Sequence, residues 1–321
     1  MKMDLECETK STQRKLMKSL LESVDFSNRV DSFSEIIERI SQMYSNRQKF
    51  LGIKRRISCS SIGTDASINT LEGIKELCEI DDAVDAFVLL RKVRDNLFLD
   101  LFLMSEAINK YPCGSEFNSS ISDLTEEQIV TELMKYISAT MEIEEKRESL
   151  QTIYQWADGN LAREENKKMR RKYFGFSQYL KHIINKCPEL KECHDKHLGK
   201  LLDGLENQLN NYVHSNSPEF LFHPIGIHPK DHYVNVIKSL LDSMDDLKRI
   251  FIIVLYFIDS TLFATDDYID AMDMGIKPLE GSQYYTIDPV VDEFKAIKKE
   301  DPGLYEFLKA NNKYGMKCFE E

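Results

Sequence analysis

Apolar residues recur along this chain at intervals of three and four positions, whereas sustained alternation of apolar and polar residues is hard to find. Spacing of three and four is typical of helices that bury one face, and alternation is typical of strands. The 33–44 segment shows the helical spacing in Phe33, Ile36, Ile37, Ile40, Met43 and Tyr44. The pattern therefore predicts an all-α fold in which several long helices assemble a core.

Cap residues and prolines indicate where further helices begin. Helices are predicted over 82–109, from Asp123 onward, from Pro188 to His214 and from about Asp231. Asp288-Pro289 and Asp301-Pro302 each place proline in a first turn, which predicts two short C-terminal helices. Four polar segments are predicted to be linkers: 58–69, 112–123, 215–230 and 274–289. The chain accordingly divides into N-terminal helices (1–57), a helical core domain (58–273) and short C-terminal helices (274–321).

Composition and charge limit the classes of function. Lys and Arg number 42 against 54 Asp and Glu in 321 residues, which gives a net charge of −12. A role on nucleic acid therefore needs a local basic patch that overrides the global repulsion. Seven scattered cysteines indicate reduced thiols, and the N-terminus lacks a signal-peptide pattern, so a cytoplasmic location is expected. The longest apolar run, 251–258, is far shorter than a membrane span, so no membrane association is expected.

The predicted helix over 82–109 carries charges in the middle of its apolar surface. Two neighbouring stripes show this: Val84, Val88, Arg91, Asp95, Phe98 and Phe102 form the first, and Phe87, Leu90, Arg94, Leu97 and Leu101 form the second. A buried ion costs several kcal/mol unless it is paired and hydrogen-bonded. Arg91, Arg94 and Asp95 are therefore expected to pair with each other across one turn or to line a cavity. A buried Arg–Asp pair that ties this helix to a neighbour and a functional site both fit the pattern.

A polar face occupies the end of the predicted helix from Pro188 to His214. It carries Asn207, Asn210, Asn211 and His214, although asparagine has a low helix propensity. These residues are either retained for hydrogen bonding or form a solvated face. In the second case a protonated His214 would be slightly stabilised by the helix dipole, because it lies near the helix C-terminus.

Two short segments together resemble the HEPN-like helical superfamily of nucleases and defence proteins. They are Leu-Leu-Arg-Lys-Val-Arg-Asp-Asn at 89–96 and Leu-Asn-Asn-Tyr-Val-His at 209–214. Members of the superfamily often carry an Arg followed a few residues later by His, commonly with a polar residue directly after the Arg. Asn210 and His214 fit this pattern, whereas Leu209 stands where the Arg would be. Arg91 or Arg94 from the other helix would have to supply the cation.

The resemblance implies a HEPN-like multi-helix bundle with C-terminal helical elaboration and the activity of a metal-independent endoribonuclease without a cofactor. In that reaction the ribose 2′-hydroxyl attacks the adjacent phosphate and leaves a cyclic phosphate and a 5′-hydroxyl. His214 would act as general acid and base, and Arg91 or Arg94 would stabilise charge on the phosphoryl oxygens. Asp95 would fix the arginine, and Asn210 would orient the imidazole or bind phosphate.

The same resemblance implies partners. RNA is the expected substrate, and members of the superfamily often place the site at a dimer interface, so a homodimer is expected. Toxin or antiviral-defence members also imply an antitoxin or a defence partner protein.

Two basic runs offer local patches for RNA despite the acidic net charge. The first consists of Lys167, Lys168, Arg170, Arg171 and Lys172, followed by aromatic residues. The second consists of Arg47, Lys49, Lys54, Arg55 and Arg56. Either run has the composition to follow a phosphate backbone, and either also fits a solvated helix end.

Two alternatives remain open, and a third, zinc binding, is not expected. The departure at Leu209 favours a non-catalytic helical interaction protein, a pseudo-enzyme of the same family. Paired acids at 81–85 and 266–270 match the motif of Mg²⁺-dependent isoprenyl diphosphate synthases, although the accompanying Arg-Arg-Gly and Gly-Gly-Lys motifs are absent. Cys187, Cys193, His194 and His197 match no structural zinc spacing, so no metal is expected.

Overall fold

The computed structural model of the chain describes residues 18–50, 59–80, 82–110, 162–164, 175–213, 230–277 and 279–319. These ranges contain the helices α1 (Phe26–Phe50), α2 (Cys59–Glu79), α3 (Ala83–Lys110), α4 (Phe176–Lys186), α5 (Pro188–Cys193), α6 (Gly199–Val213), α7 (Lys230–Asp259), α8 (Asp266–Asp273), α9 (Asp288–Glu300) and α10 (Pro302–Ala310). A π-helical turn, His194–Leu198, joins α5 to α6. In the described ranges the only β pairing is an isolated bridge between Ala264 and Thr286, so the predicted all-α class is confirmed.

Helix α3 lies at the centre of the fold and contacts α2, α4, α6 and α7. Helices α2 and α3 run antiparallel, because Gly63 lies against Asp100 near one end and Gly73 against Leu89 near the other. Helices α1 and α2 are antiparallel as well. Lys75 near the end of α2 pairs with Asp31 near the start of α1 at 2.7 Å, whereas Thr64 near the start of α2 donates to Ser41 in the later part of α1.

The apolar stripe predicted at 33–44 forms the buried face of α1. Phe33, Ile36, Ile37 and Ile40 are fully buried, and Met43 is buried as well. Burial of each such side chain stabilises the fold by roughly 1.5–3 kcal/mol, which explains why this segment is helical and packed. The hydrophobic cluster of which they are part extends from Leu21 to Phe319 and draws on all three predicted segments of the chain.

The prediction of a linker over 58–69 was wrong, because α2 begins at Cys59 and continues through the segment. Its hydroxyl groups bond back to the helix itself. Ser67 donates to the Gly63 carbonyl at 2.7 Å, and Thr70 donates to the Ala66 carbonyl at 2.6 Å. Serine and threonine favour turns when exposed, but in this buried helix their hydroxyl groups have backbone carbonyls as acceptors. Their small size permits close packing.

The helix predicted from Pro188 is present as far as Val213, where the described residues end, but it is interrupted by the π-helical turn. The helix predicted from about Asp231 is α7, which begins at Lys230. The two short C-terminal helices are α9 and α10, each with proline in its first turn. The helix predicted after Asp123 lies outside the described residues.

The C-terminal helices are joined to α7 by polar contacts. Arg249 pairs with Glu293 at 2.8 Å and with Glu300 at 2.7 Å, both on α9. The Tyr256 hydroxyl donates to the Leu308 carbonyl of α10 at 3.1 Å. These contacts hold α9 and α10 against the same long helix that packs on α3.

Candidate functional site

Arg94 is a buried cation in the central helix, as the charge pattern predicts. Its side chain is only 3% exposed, and its Nε and Nη2 atoms donate to Oδ1 of Asp95 at 2.9 and 2.6 Å. Its guanidinium carbon lies 4.2 Å from the centre of the Phe176 ring of α4. The expected Arg–Asp pairing is therefore present, but it joins two adjacent residues of α3. The contact with the neighbouring helix α4 is made by the Phe176 ring, which packs on the Arg94 guanidinium.

Among the α3 side chains that the structure describes, three nitrogen donors are buried without a hydrogen-bond partner: Nη1 of Arg91, Nη1 of Arg94 and Nδ2 of Asn96. A buried donor left without an acceptor costs about 1–3 kcal/mol, so most proteins avoid one. Arg91 is half-buried, and Asp95 is 43% exposed at its side chain. Arg91 therefore combines a partly exposed side chain with an enclosed Nη1 donor that lacks an acceptor.

Aromatic side chains of α4 line the face of α3 beside Arg94. The Phe176 ring meets the Phe98 ring edge-on with centres 4.7 Å apart, and the Tyr179 ring stacks on Phe102 at 5.3 Å. Burial raises the pKa of Tyr179, and the Asp95 carboxylate raises it further. Tyr179 therefore stays a neutral hydroxyl at neutral pH and adds no negative charge beside Asp95.

The last turn of α6 lies against the first turns of α3. The Tyr212 ring stacks on the Phe87 ring with centres 3.7 Å apart and planes 2° apart. Leu209 is fully buried and Asn210 is half-buried. Since Phe87 precedes Arg91 by four residues, Arg91 lies about one helical turn from this contact. The structure thus places Tyr212 of the 209–214 segment beside the part of α3 that directly precedes the 89–96 segment.

Several predicted site residues cannot be placed in this way. His214 follows Tyr212 by two residues and lies outside the described residues, as does the basic run of Lys167, Lys168, Arg170, Arg171 and Lys172. In the second basic run, Arg47 and Lys49 belong to the end of α1, and the remaining cations lie outside the described ranges.

Asp100 is a site that the sequence interpretation missed. It is only 1% exposed, and its carboxyl lies where a Cβ atom on Gly63 of α2 would approach within 2.5 Å. Burial raises its pKa to about 9, although the backbone N–H groups of Gly63 and Thr64 act in the opposite direction. Neither carboxyl oxygen makes a hydrogen bond of normal geometry. The sequence does carry a signal for this buried acid, because Asp100 is the single charged residue in the apolar run 97–102.

The residues behind the metal alternatives have other contacts. Asp82 accepts from the backbone N–H of Asp85 at the start of α3, and Asp266 pairs with Arg39 of α1. His194 contacts its neighbour Asp195 at 3.1 Å. Within the part of the chain that the structure describes, no three Asp, Glu, His or Cys side chains are arranged to hold a metal ion.

A cleft of about 700 Å³ lies away from Arg91, between α1, α7, α8 and α9. Two of its lining residues are the cations Arg39 and Lys248, and both are already paired with acids. Six are acidic: Glu35, Asp266, Asp267, Asp288, Asp292 and Glu293. An RNA backbone is repelled by such a lining, so the cleft offers no alternative RNA site.

No protein-family model, curated protein or solved structure matches the chain. Among the residues that the structure describes, no helix combines the length and the apolar character required to cross a bilayer.

Proposed function

We propose that the chain is a HEPN-like, metal-independent endoribonuclease of the toxin or antiviral-defence kind. The observation that supports this most is the contact between Tyr212 and Phe87, which sets the end of α6 beside α3 about one turn from Arg91. Arg91 there carries a buried nitrogen donor without a partner. A phosphate oxygen would satisfy that donor once the Arg91 side chain turns it outward, and a guanidinium stabilises the charge that develops on phosphorus-bound oxygens.

The contacts divide the roles of the two arginines. Arg94 would have to break both hydrogen bonds to Asp95 and leave the Phe176 ring to reach a substrate. We therefore assign the phosphate contact to Arg91 and a positioning role to Arg94 with Asp95. His214 acts as general base for the 2′-hydroxyl and as general acid for the leaving oxygen, and Asn210 orients its imidazole or binds phosphate.

The proposal extends to partners and location. The run at 167–172 contacts the RNA backbone, two copies of the chain form the active dimer, and an antitoxin or defence protein controls the activity in the cytoplasm. No cofactor is required, because the nucleophile is the 2′-hydroxyl of the substrate.

The experiment is cleavage of a labelled RNA pool by the purified chain in excess EDTA, with analysis of the product ends. We expect cyclic phosphate and 5′-hydroxyl ends from the wild type. His214→Ala and Arg91→Gln should each lose activity by about 10²–10⁴-fold. Lys92→Gln is the matched control, because Lys92 is the exposed neighbour of Arg91 and should leave the rate unchanged. Cleavage that requires Mg²⁺, or that survives His214→Ala, contradicts the proposal.

A non-catalytic interaction protein of the same family is the second candidate. Leu209 favours it, because this residue is fully buried where the family pattern has an arginine. Expression in a bacterial host distinguishes the two. Toxicity of the wild type that is lost in His214→Ala supports the nuclease, whereas RNA that stays intact and growth that is unaffected support the interaction protein.

A further inference from the structure

Most of the exposed apolar side chains of the described residues lie in one short stretch of the chain that follows α8. Eight large apolar side chains are exposed within the described ranges, and five of them form what we call the apolar ridge: Met274, Ile276, Leu279, Tyr284 and Tyr285. Leu279 is 81% exposed and Met274 is 67% exposed. Exposed apolar side chains that are grouped in this way mark interaction surfaces more often than isolated ones do.

Turn hydrogen bonds fix the backbone that carries the apolar ridge. The Ile276 N–H donates to the Ala271 carbonyl at 2.8 Å and Gly275 has a φ of 67°, so α8 ends in a left-handed turn. The Ser282 N–H donates to the Leu279 carbonyl at 3.0 Å, and Ser282 is buried. A folded backbone therefore presents the ridge, which reduces the entropy that is lost when a partner binds.

The apolar ridge adjoins the acidic cleft between α1, α7, α8 and α9. The Thr265 N–H donates to the Tyr285 carbonyl at 2.9 Å, and Thr265 lines the cleft together with Ile287. Tyr285 is half exposed at this edge of the cleft. The ridge and the cleft thus lie side by side on the surface.

The cleft carries negative charge that the described residues do not neutralise. Its cations Arg39 and Lys248 are already paired with other acids. Three further acids of its lining are exposed and have no ion-pair partner within the described ranges: Glu35, Asp267 and Asp288. The cleft therefore attracts a positively charged partner.

The charge of the cleft also decides between the possible occupants of the apolar ridge. The cytoplasmic surface of a membrane is negative, so the cleft opposes docking on lipid. In a two-fold dimer through this face, acids of the two copies would lie close together and repel each other. An RNA backbone is repelled for the same reason. A basic polypeptide with apolar side chains matches both the ridge and the cleft.

We propose that the apolar ridge and the acidic cleft together form a docking surface for a basic, amphipathic segment of another protein. Apolar side chains of that segment pack on Leu279 and Tyr285. Its Lys or Arg side chains enter the cleft beside Glu35 and Asp267. The acids speed the encounter, and the apolar contacts hold the complex. The inference is independent of the proposed nuclease function, because none of these residues belongs to the site at α3 and α6.

Selection from a phage-displayed library of random peptides tests the docking surface on the full-length chain. Peptides that bind the wild type are counter-selected against Leu279→Ser, which changes a side chain that is 81% exposed and so leaves the fold intact. We expect the surviving peptides to combine Lys or Arg with Leu, Phe or Trp, and their binding to weaken as salt is raised. An acidic or uncharged consensus, or no enrichment, contradicts the proposal.

Variants then test both parts of the surface with one enriched peptide, synthesised with a fluorescent label and titrated by anisotropy. Leu279→Ser should weaken binding about tenfold, and Glu35→Gln should weaken it about threefold. Ile80→Ser and Asp203→Asn are the matched controls, because Ile80 and Asp203 are an exposed apolar residue and an exposed acid outside the ridge and the cleft. Both should bind as the wild type does, and circular dichroism checks that every variant is folded.

Three results overturn the proposal. In the first, the controls weaken binding as much as Leu279→Ser and Glu35→Gln do. In the second, sedimentation shows self-association of the wild type that Leu279→Ser abolishes, which assigns the face to a second copy of the chain. In the third, the wild type binds phosphatidylserine vesicles and Leu279→Ser does not, which assigns the face to a membrane.

Discussion

The rings of Tyr212 and Phe87 lie parallel, with centres 3.7 Å apart. Both side chains are buried. Tyr212 lies within the 209–214 segment, and Phe87 lies two residues before the 89–96 segment. The contact sets the C-terminal end of α6 beside the N-terminal half of α3. The proposed site depends on this packing, because it determines where the chain leaves α6 on the way to His214.

Removal of the Tyr212 ring should therefore destabilise the protein. Tyr212→Ala deletes a large buried ring from a stacked pair, and we expect a loss of about 3 kcal/mol in the free energy of unfolding. Tyr212→Phe keeps the ring and should lose less than about 1.5 kcal/mol. Urea unfolding followed by circular dichroism measures both. Equal losses in the two variants would show that the ring contact contributes little.

The pair of Arg94 and Asp95 gives a second prediction. Asp95→Ala leaves a buried guanidinium without its acceptor, and we expect a loss of about 1–2 kcal/mol, moderated because Asp95 is partly exposed. Arg94→Met combined with Asp95→Asn removes both charges and should cost less than Asp95→Ala alone. If the double variant is less stable than Asp95→Ala, uncharged side chains cannot replace the pair and the prediction is wrong.

Periodicity predicted the parts of the fold that rest on burial of apolar faces. The stripe on α1 and the charged break in α3 were both visible in sequence, because helical spacing places those residues on one face. The 58–69 segment was misread for a physical reason. Serine and threonine favour turns, but in α2 their hydroxyls bond to carbonyls four residues earlier, and only tertiary packing makes that arrangement favourable.

The candidate site was less predictable. The pattern indicated that Arg94 needs a partner, but it could not show that the neighbouring Asp95 supplies it or that Phe176 covers the guanidinium, since 82 residues separate Arg94 from that ring. The π-helical turn could not be predicted either, because the apolar spacing of Leu190 and Leu198 is that of an ordinary helix. The distance between Arg91 and His214 stays a prediction.

Asp100 should make stability depend on pH. Burial raises its pKa from the ordinary aspartate range to about 9, so the folded state favours the protonated acid. Its contribution to stability is therefore complete below about pH 4 and declines as pH rises toward about 9, on the order of 1 kcal/mol per pH unit. Asp100→Asn should raise the free energy of unfolding at pH 8 and flatten this decline.

Glu76→Gln is the control for that measurement, because Glu76 is an exposed acid on the neighbouring helix α2. It should leave the pH profile unchanged. If the wild type and Asp100→Asn show the same slope between about pH 5 and pH 8, Asp100 does not titrate as its burial implies.

The contact between Gly63 and Asp100 predicts opposite outcomes for two glycine substitutions. A Cβ atom at Gly63 would lie 2.5 Å from Oδ1 of Asp100, so Gly63→Ala should destabilise the protein by about 1–3 kcal/mol. Gly204 on α6 has no heavy atom within 4 Å of the equivalent position, so Gly204→Ala should stabilise it by about 0.5–1 kcal/mol. Thermal unfolding of both variants checks the difference, and a stabilising Gly63→Ala would refute the close approach of α2 and α3.

The central claim is that Arg91 and His214 hold one phosphate between them, and histidine NMR tests it most directly. The His214 signal is assigned by its loss in His214→Gln. A 2′-deoxy dinucleotide, which lacks the attacking hydroxyl, is then titrated into the full-length wild type, Arg91→Gln and Lys92→Gln. We expect a saturable shift of the His214 imidazole signal in the wild type and in Lys92→Gln, and loss of that shift in Arg91→Gln. A His214 signal that does not move, or that moves equally in Arg91→Gln, would contradict the account.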